Sequence, residues 1–158
     1  MSRDSSSEIT DQGPFLGAKL RLGWQWIREQ IYSGVHAAGY DDLNPAHVGV
    51  FRYPTLDGQR PSELAEQMQI TRQSVNDLLK HLELRGYLTR GADLADKRGR
   101  VIRLTAKGHR LEQTIKSHAH AAELSIAQKL GPRRYSQLRV ALEEFERHIA
   151  ESGHQQRD

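Results

Sequence analysis

Cysteine is absent from this chain of 158 residues, and that absence removes disulfides, thiolate metal sites and thiol-based redox switching together. Also missing is any apolar run near the roughly 18 to 20 residues that span a bilayer. With 37% hydrophobic and 27% charged residues, the composition points to a soluble chain that does not enter a membrane. The opening MSRDSSSEITDQG has no hydrophobic core, so residues 1–13 are expected to form a disordered leader instead of a secretory signal, with a cytoplasmic location following. Catalytic patterns are lacking too: there is no Gly-x-Ser-x-Gly, no phosphate-cradling glycine loop and no pair of histidines four residues apart. The expectation is a protein that is not an enzyme, uses no cofactor and holds no metal. His118, between Ile115 and Ala122 in an apolar stripe, is expected to be a satisfied core histidine.

What is present is a segregated charge. The formal net charge is only +3, yet residues 85–110 carry eight Lys or Arg against Asp93 and Asp96, a local +6 that leaves the remainder at −3. A basic field confined to one segment is the electrostatic footprint of a surface that binds a polyanion.

The apolar spacing orders the chain as one domain over 14–151, with a frayed tail over 152–158. After Pro14, Leu16, Leu20, Trp24, Ile27, Ile31 and Val35 follow a helical face. Phe15, Leu22 and Trp26 form a second stripe, so this helix over 14–38 needs two neighbours. Asn44 and Pro45 open a short helix closed before Pro54. A helix through Met68, a tight break and Thr71 as the next N-cap compose a helix-turn-helix, with Val75, Leu78, Leu79 and Leu82 inward and Gly86 at the C-terminal cap. GYLTR and RVIRLT flank a loop as strands, and a basic hairpin after a helix-turn-helix is a wing. Thr105 caps a helix over 106–130, about 37 Å long at 1.5 Å per residue. Gly131-Pro132 breaks it, and a last helix carries Tyr135, Leu138, Leu142, Phe145 and Ile149 in one stripe. The fold class is mainly α with a small β-hairpin wing, the winged-helix part lying at 44–104.

RPSELAEQM, ITRQSVNDLLKHLELRGYL and DKRGRVIRLTAKG resemble, in that order, the first motif helix, recognition helix and wing of the MarR family of bacterial winged-helix transcription regulators. The last resembles the family's Asp-x-Arg followed by Leu-Thr-x-x-Gly. The resemblance implies a homodimer, built from terminal helices at 14–38 and 106–151, whose two winged helices sit over successive major grooves of double-stranded DNA. It also implies small, often anionic aromatic effectors. Position 77, often basic in the family, is here Asp77.

The outward face of the recognition helix supplies the DNA-contacting candidates. Arg72 can donate a bidentate pair to guanine, Gln73 and Asn76 can pair with adenine, Ser74 can serve base or phosphate, and Lys80 suits a phosphate. Asp77 would accept from cytosine N4 or from a neighbouring basic side chain. In the wing, Lys97, Arg98 and Arg100 surround Gly99, with Arg98 expected to lead into the minor groove and Asp96 to support it. Trp24, Trp26, His36, Tyr40 and Tyr53 can line an effector pocket with Arg21 as partner for an anion, although the tryptophans suit a core or dimer interface as well. The expected function is an operator-binding repressor released by a small molecule. The rival is a winged-helix protein-interaction module that does not read DNA, against which the basic segment and the polar readers stand.

Overall fold

Helix α1, Leu16–Ala37, changes role along its length. Ile31 and Val35, near its end, are buried in the core, while Leu16, Leu20, Leu22, Trp24 and Trp26 stay exposed on the single chain. This computed structural model describes residues 15–51, 56–92 and 100–155. At Gly34 a Cβ would overlap the ring of His118, so the glycine permits close approach of a later helix. His118 is half-buried against it, in keeping with a packed histidine.

Helix α2, Pro45–Val50, starts where the asparagine and proline predict. The Asn44 side chain accepts from the backbone N–H groups of Ala46 and His47, each at 3.0 Å, and Pro45 has no N–H to leave unpaired. Helices α3, Pro61–Met68, and α4, Arg72–Leu84, form the helix-turn-helix. The turn between them places Gln69 in the left-handed region at φ 54°, a conformation non-glycine residues seldom adopt. Val75, Leu79 and Leu82 are fully buried and Leu78 partly so, which matches the inward set read from the spacing. Gly86, at φ 74°, turns the chain out of α4.

Strands β1, Leu88–Ala92, and β2, Arg100–Leu104, pair antiparallel from Leu88 opposite Leu104 to Ala92 opposite Arg100. The first strand thus takes in Gly91 and Ala92, which the sequence reading leaves to the loop. The outer side of β2 is covered as well: Gly58 N–H donates to Ile102 O at 2.7 Å, and Ile102 N–H to Gln59 O at 2.9 Å. An edge strand paired in this way cannot template another chain.

Helix α5, Ala106–Leu130, begins at a joint that explains the Leu-Thr-x-x-Gly pattern. The Thr105 hydroxyl shares its hydrogen between the carbonyls of Gly86 (2.6 Å) and Tyr87 (3.1 Å) and accepts from Gly108 N–H at 3.2 Å. A Cβ at Gly108 would run into the Tyr87 carbonyl. Helix α6, Pro132–Gln155, follows Gly131 at φ 78° and runs past the expected boundary at 151.

Two compact units result, residues 1–119 and 120–158. The first holds α1 to α4, the hairpin and the start of α5 around one core that includes Val35, Leu64, Leu79, Tyr87, Ile102 and Leu111. The second holds the rest of α5 and α6, where Tyr135 donates to Glu123 at 3.5 Å and Leu138, Leu142, Phe145 and Ile149 remain exposed. Among the described residues no helix is long and apolar enough to cross a membrane.

Candidate nucleic-acid interface

An α-helix presents polar side chains to a partner only if its other face is held, and α4 is held on several sides. Its N-terminus is capped: Thr71 Oγ1 accepts from Ser74 N–H at 3.1 Å and lies 2.8 Å from Ser74 Oγ. Ser74 therefore spends its hydroxyl on the cap, although it remains exposed. The buried stripe Val75, Leu79 and Leu82 turns Arg72, Gln73, Asn76, Asp77 and Lys80 to solvent.

Three of these outward residues are already tied. Gln73 Nε2 donates to Asp77 Oδ1 at 3.0 Å. The partner of Asp77 within the chain is thus an amide. Asn76 Oδ1 accepts from Arg90 Nη1 of β1 at 3.4 Å. Arg90 is itself clamped on Glu83 of α4, with Nη2 and Nε at 2.7 and 3.1 Å from Oε2 and its backbone N–H at 3.2 Å from Oε1. The hydrogen bonds from the Arg90 side chain hold the Glu83 carboxyl below the usual carboxylate range, and the charge of Arg100 adds to the effect. Arg90 and Glu83 escaped the sequence reading because their pairing joins a helix to a strand.

The hairpin brings Arg100 to the described end of β2, exposed and opposite Ala92. Lys97 and Arg98, the other wing candidates, lie outside the described residues, as does Asp96.

Behind α4, His47 of α2 stacks on His81 of α4 with ring centroids 3.9 Å apart and planes 10° from parallel. His81 Nε2 lies 3.1 Å from the Asp42 carbonyl oxygen, which only accepts, so this nitrogen carries the hydrogen. His47 Nδ1 accepts from Asn44 N–H at 3.2 Å, which requires a bare nitrogen and completes the capping box of α2. Burial, then the neighbouring His81, push His47 below its usual value of 6.5. Asp42 also accepts from the Tyr87 hydroxyl at 2.7 Å, and Lys107 sits 3.9 Å over the Tyr87 ring. Burial, with Asp42 second, pushes the Tyr87 hydroxyl up. Nothing in the sequence spacing announces this cluster, which fixes α4 to α2 and to the chain before it.

A separate cavity of about 170 Å³ opens between α1, α2, α3 and α5, with Trp24, Arg28, Tyr32, Val48, Met68 and Ile115 in its wall. Of the effector candidates only Trp24 lines it. Arg21, seven residues before Arg28, is exposed on α1 outside the lining. His36 is exposed and packs by its ring against Tyr32 at 6.2 Å, and Tyr40 turns into the core beside Tyr87. Tyr53 lies outside the described residues. Among the described residues no group of three His, Asp or Glu side chains converges on a metal position.

Comparison with known proteins agrees with this geometry. Residues 41–99 match the model of the MarR family. Apo MarR from Escherichia coli is similar in fold at 16% identity, covering 85% of this chain and 98% of that one with a TM-score of 0.69. MepR of Staphylococcus aureus, solved as a DNA complex, is 19% identical over 86% of this chain and 99% of that one, TM-score 0.67. A Mycobacterium tuberculosis MarR family protein in complex with salicylic acid is 25% identical over 85% and 98%, TM-score 0.63. A search of curated proteins by sequence finds no match.

Proposed function

We propose that this chain, whose residues 41–99 match the model of the MarR family, is a member of that family and a transcriptional regulator that binds a pseudo-palindromic operator as a homodimer and represses. The observation that carries the reading is α4: a capped helix whose Val75, Leu79 and Leu82 are buried and whose Arg72, Gln73, Asn76 and Lys80 are exposed beside a basic hairpin. Such a helix fits the major groove, and its polar ends match base edges and phosphates.

The dimer follows from exposed apolar surface. Phe15 is 81% exposed, Leu22 58% and Ile149 55% on the single chain, and stripes of this kind on α1 and α6 favour burial against a second copy. Two-fold symmetry then sets two half-sites about one helical turn, roughly 34 to 36 Å, apart. Because its ligand is chromosomal DNA, we place its work in the cytoplasm.

The cavity supports an effector of defined chemistry. Trp24 and Tyr32 offer aromatic faces and Arg28 a cation, which suits a small aromatic anion; the salicylic acid complex of the mycobacterial relative favours the same class. An effector releases DNA only by binding the free form better than the bound one.

The test is selection of genomic fragments on the purified protein, followed by titration of the enriched duplex and an unrelated duplex at several salt concentrations, with and without salicylate. A sequence-specific operator with steep salt dependence is expected, weakened by salicylate. Recovery of no preferred sequence, with flat salt dependence, overturns the reading in favour of a protein-interaction module.

A further inference from the structure

Asn76 and Gln73 carry the same functional group, one turn apart on the exposed face of α4. From sequence both match adenine, because a side-chain amide offers one acceptor and one donor to N6–H and N7. The structure separates them, since each is met by a neighbour of a single hydrogen-bonding kind.

Asn76 is met by Arg90. A guanidinium has five N–H donors and no acceptor, so the amide atom turned toward it must be the oxygen. This assignment follows from the chemistry of the partner, where an amide seen alone would leave oxygen and nitrogen interchangeable. Arg90 is not free to turn either, because Nε and Nη2 are both engaged by Glu83 Oε2 and its backbone N–H by Oε1. Those bonds set the plane of the guanidinium and aim Nη1 at Asn76 Oδ1, at 3.4 Å. A second lone pair remains on Oδ1, but a base N–H approaching it would come up beside a cation that is itself a donor. The open end of the amide is its NH2.

Gln73 is met by Asp77. An ionised carboxylate only accepts, so Gln73 presents Nε2 to Asp77 Oδ1, at 3.0 Å, and Oε1 is its open end. A carbonyl oxygen leading into the groove suits a base amino group, adenine N6 or cytosine N4.

Resting on the reading that α4 enters the major groove, we propose that Arg90 of β1 is a positioning residue that holds the Asn76 amide with its NH2 leading, so that Asn76 selects an edge of acceptors, guanine before adenine. Gln73, held the opposite way round by Asp77, keeps its preference for a base amino group. The hairpin thereby contributes to sequence choice from behind the helix, with no contact of Arg90 to a base.

The experiment uses the full chain. Wild-type protein is first used to select its preferred duplex from a random pool, and every position of one half-site is then changed to each of the four bases. Asn76→Asp, which replaces a leading donor by an acceptor, identifies the position Asn76 reads: preference there should move from guanine toward cytosine. Arg90→Met should shift the guanine-to-adenine ratio at that same position toward adenine by about tenfold, with other positions unchanged. Because Arg90 is spent on Glu83, the slope of log affinity against log salt should stay the same.

Failure of the wild type to select any sequence overturns the DNA reading itself. Selection with no positional effect of Asn76→Asp overturns only the role of Asn76. A loss of affinity in Arg90→Met that is equal for all four bases makes Arg90 a structural residue, and a loss accompanied by a shallower salt slope makes it a phosphate contact; either overturns the proposal. Thermal melting reports whether Arg90→Met folds. If it does not, Arg90→Lys, which retains the charge beside Glu83 but not the fork, is judged by the same base ratio.

Discussion

The stacked pair His47 and His81 makes the seat of α4 sensitive to acid, and the size of the effect can be bounded. His47 is 7% exposed, and its Nδ1 must be bare to accept from Asn44 N–H. Protonation would set donor against donor and place a charge 3.9 Å from the His81 ring. With its folded pKa below the usual 6.5, the folded protein keeps His47 neutral while the unfolded chain takes up a proton as pH falls through 6.5. The stabilisation is therefore complete above pH 6.5 and is lost downward until the folded value is reached. One proton bounds the loss at about 1.3 kcal/mol between about pH 7 and about pH 5.5. Glu83, whose carboxyl is depressed from 4.5, loses its contribution only in more acid solution, so the two limbs are separable. His47→Gln is the diagnostic variant: glutamine at the third helical position is an ordinary capping-box partner and can still accept from Asn44 N–H, yet it does not titrate. Urea denaturation across this range should show the acid limb in the wild type and its flattening in His47→Gln. An equal limb in both proteins would refute the role given to His47.

Leu79→Ala, at a fully buried position of α4, should cost about 2 to 5 kcal/mol in urea denaturation. Gly108→Ala must push the Tyr87 carbonyl away from the start of α5, and should lower stability by about 1 to 3 kcal/mol as read by the denaturation midpoint. Arg98→Ala in the wing should weaken binding to operator and unrelated duplex alike, reducing the salt slope by about 0.9 for one phosphate contact; titrations on both duplexes check it. Light scattering should report twice the chain mass of 18.0 kDa for the wild type, and Phe145→Glu on the exposed stripe of α6 should shift it toward one chain.

The order of elements was legible because each boundary is written in local chemistry. Asn44-Pro45 opens α2 by a side-chain cap and a residue without an N–H, Thr71 and Gly86 bracket α4, and Gly131-Pro132 separates α5 from α6. Boundaries that depend on more distant groups were read less closely. Strand β1 continues through Gly91 and Ala92, residues that look like loop, because β2 supplies partners for them. Val101, at 3% exposure, is buried together with its neighbour Ile102, which strict alternation along a strand does not anticipate. Arg21 and Arg28 share a spacing of two helical turns, so periodicity does not separate them; Arg28 lines the cavity and Arg21 does not.

The outward face of α4 shows where local reading ends at the site. That Arg72, Gln73, Asn76 and Lys80 face away from the core follows from helical geometry alone, and Gln73 with Asp77 has the four-residue spacing at which an amide and a carboxylate meet on one helix. Glu83, seven residues after Asn76, falls on the same side by the same arithmetic. Arg90 does not: it belongs to a strand, and it reaches Asn76 only because the turn at Gly86 sends β1 back alongside α4. Residue type tells which groups are able to meet a base, whereas the orientation of the Asn76 amide depends on a neighbour fourteen positions away in the chain. A family resemblance supplies the helix and the wing; one hydrogen bond from β1 to Asn76 and one along α4 to Gln73 set which end of each amide is engaged within the chain.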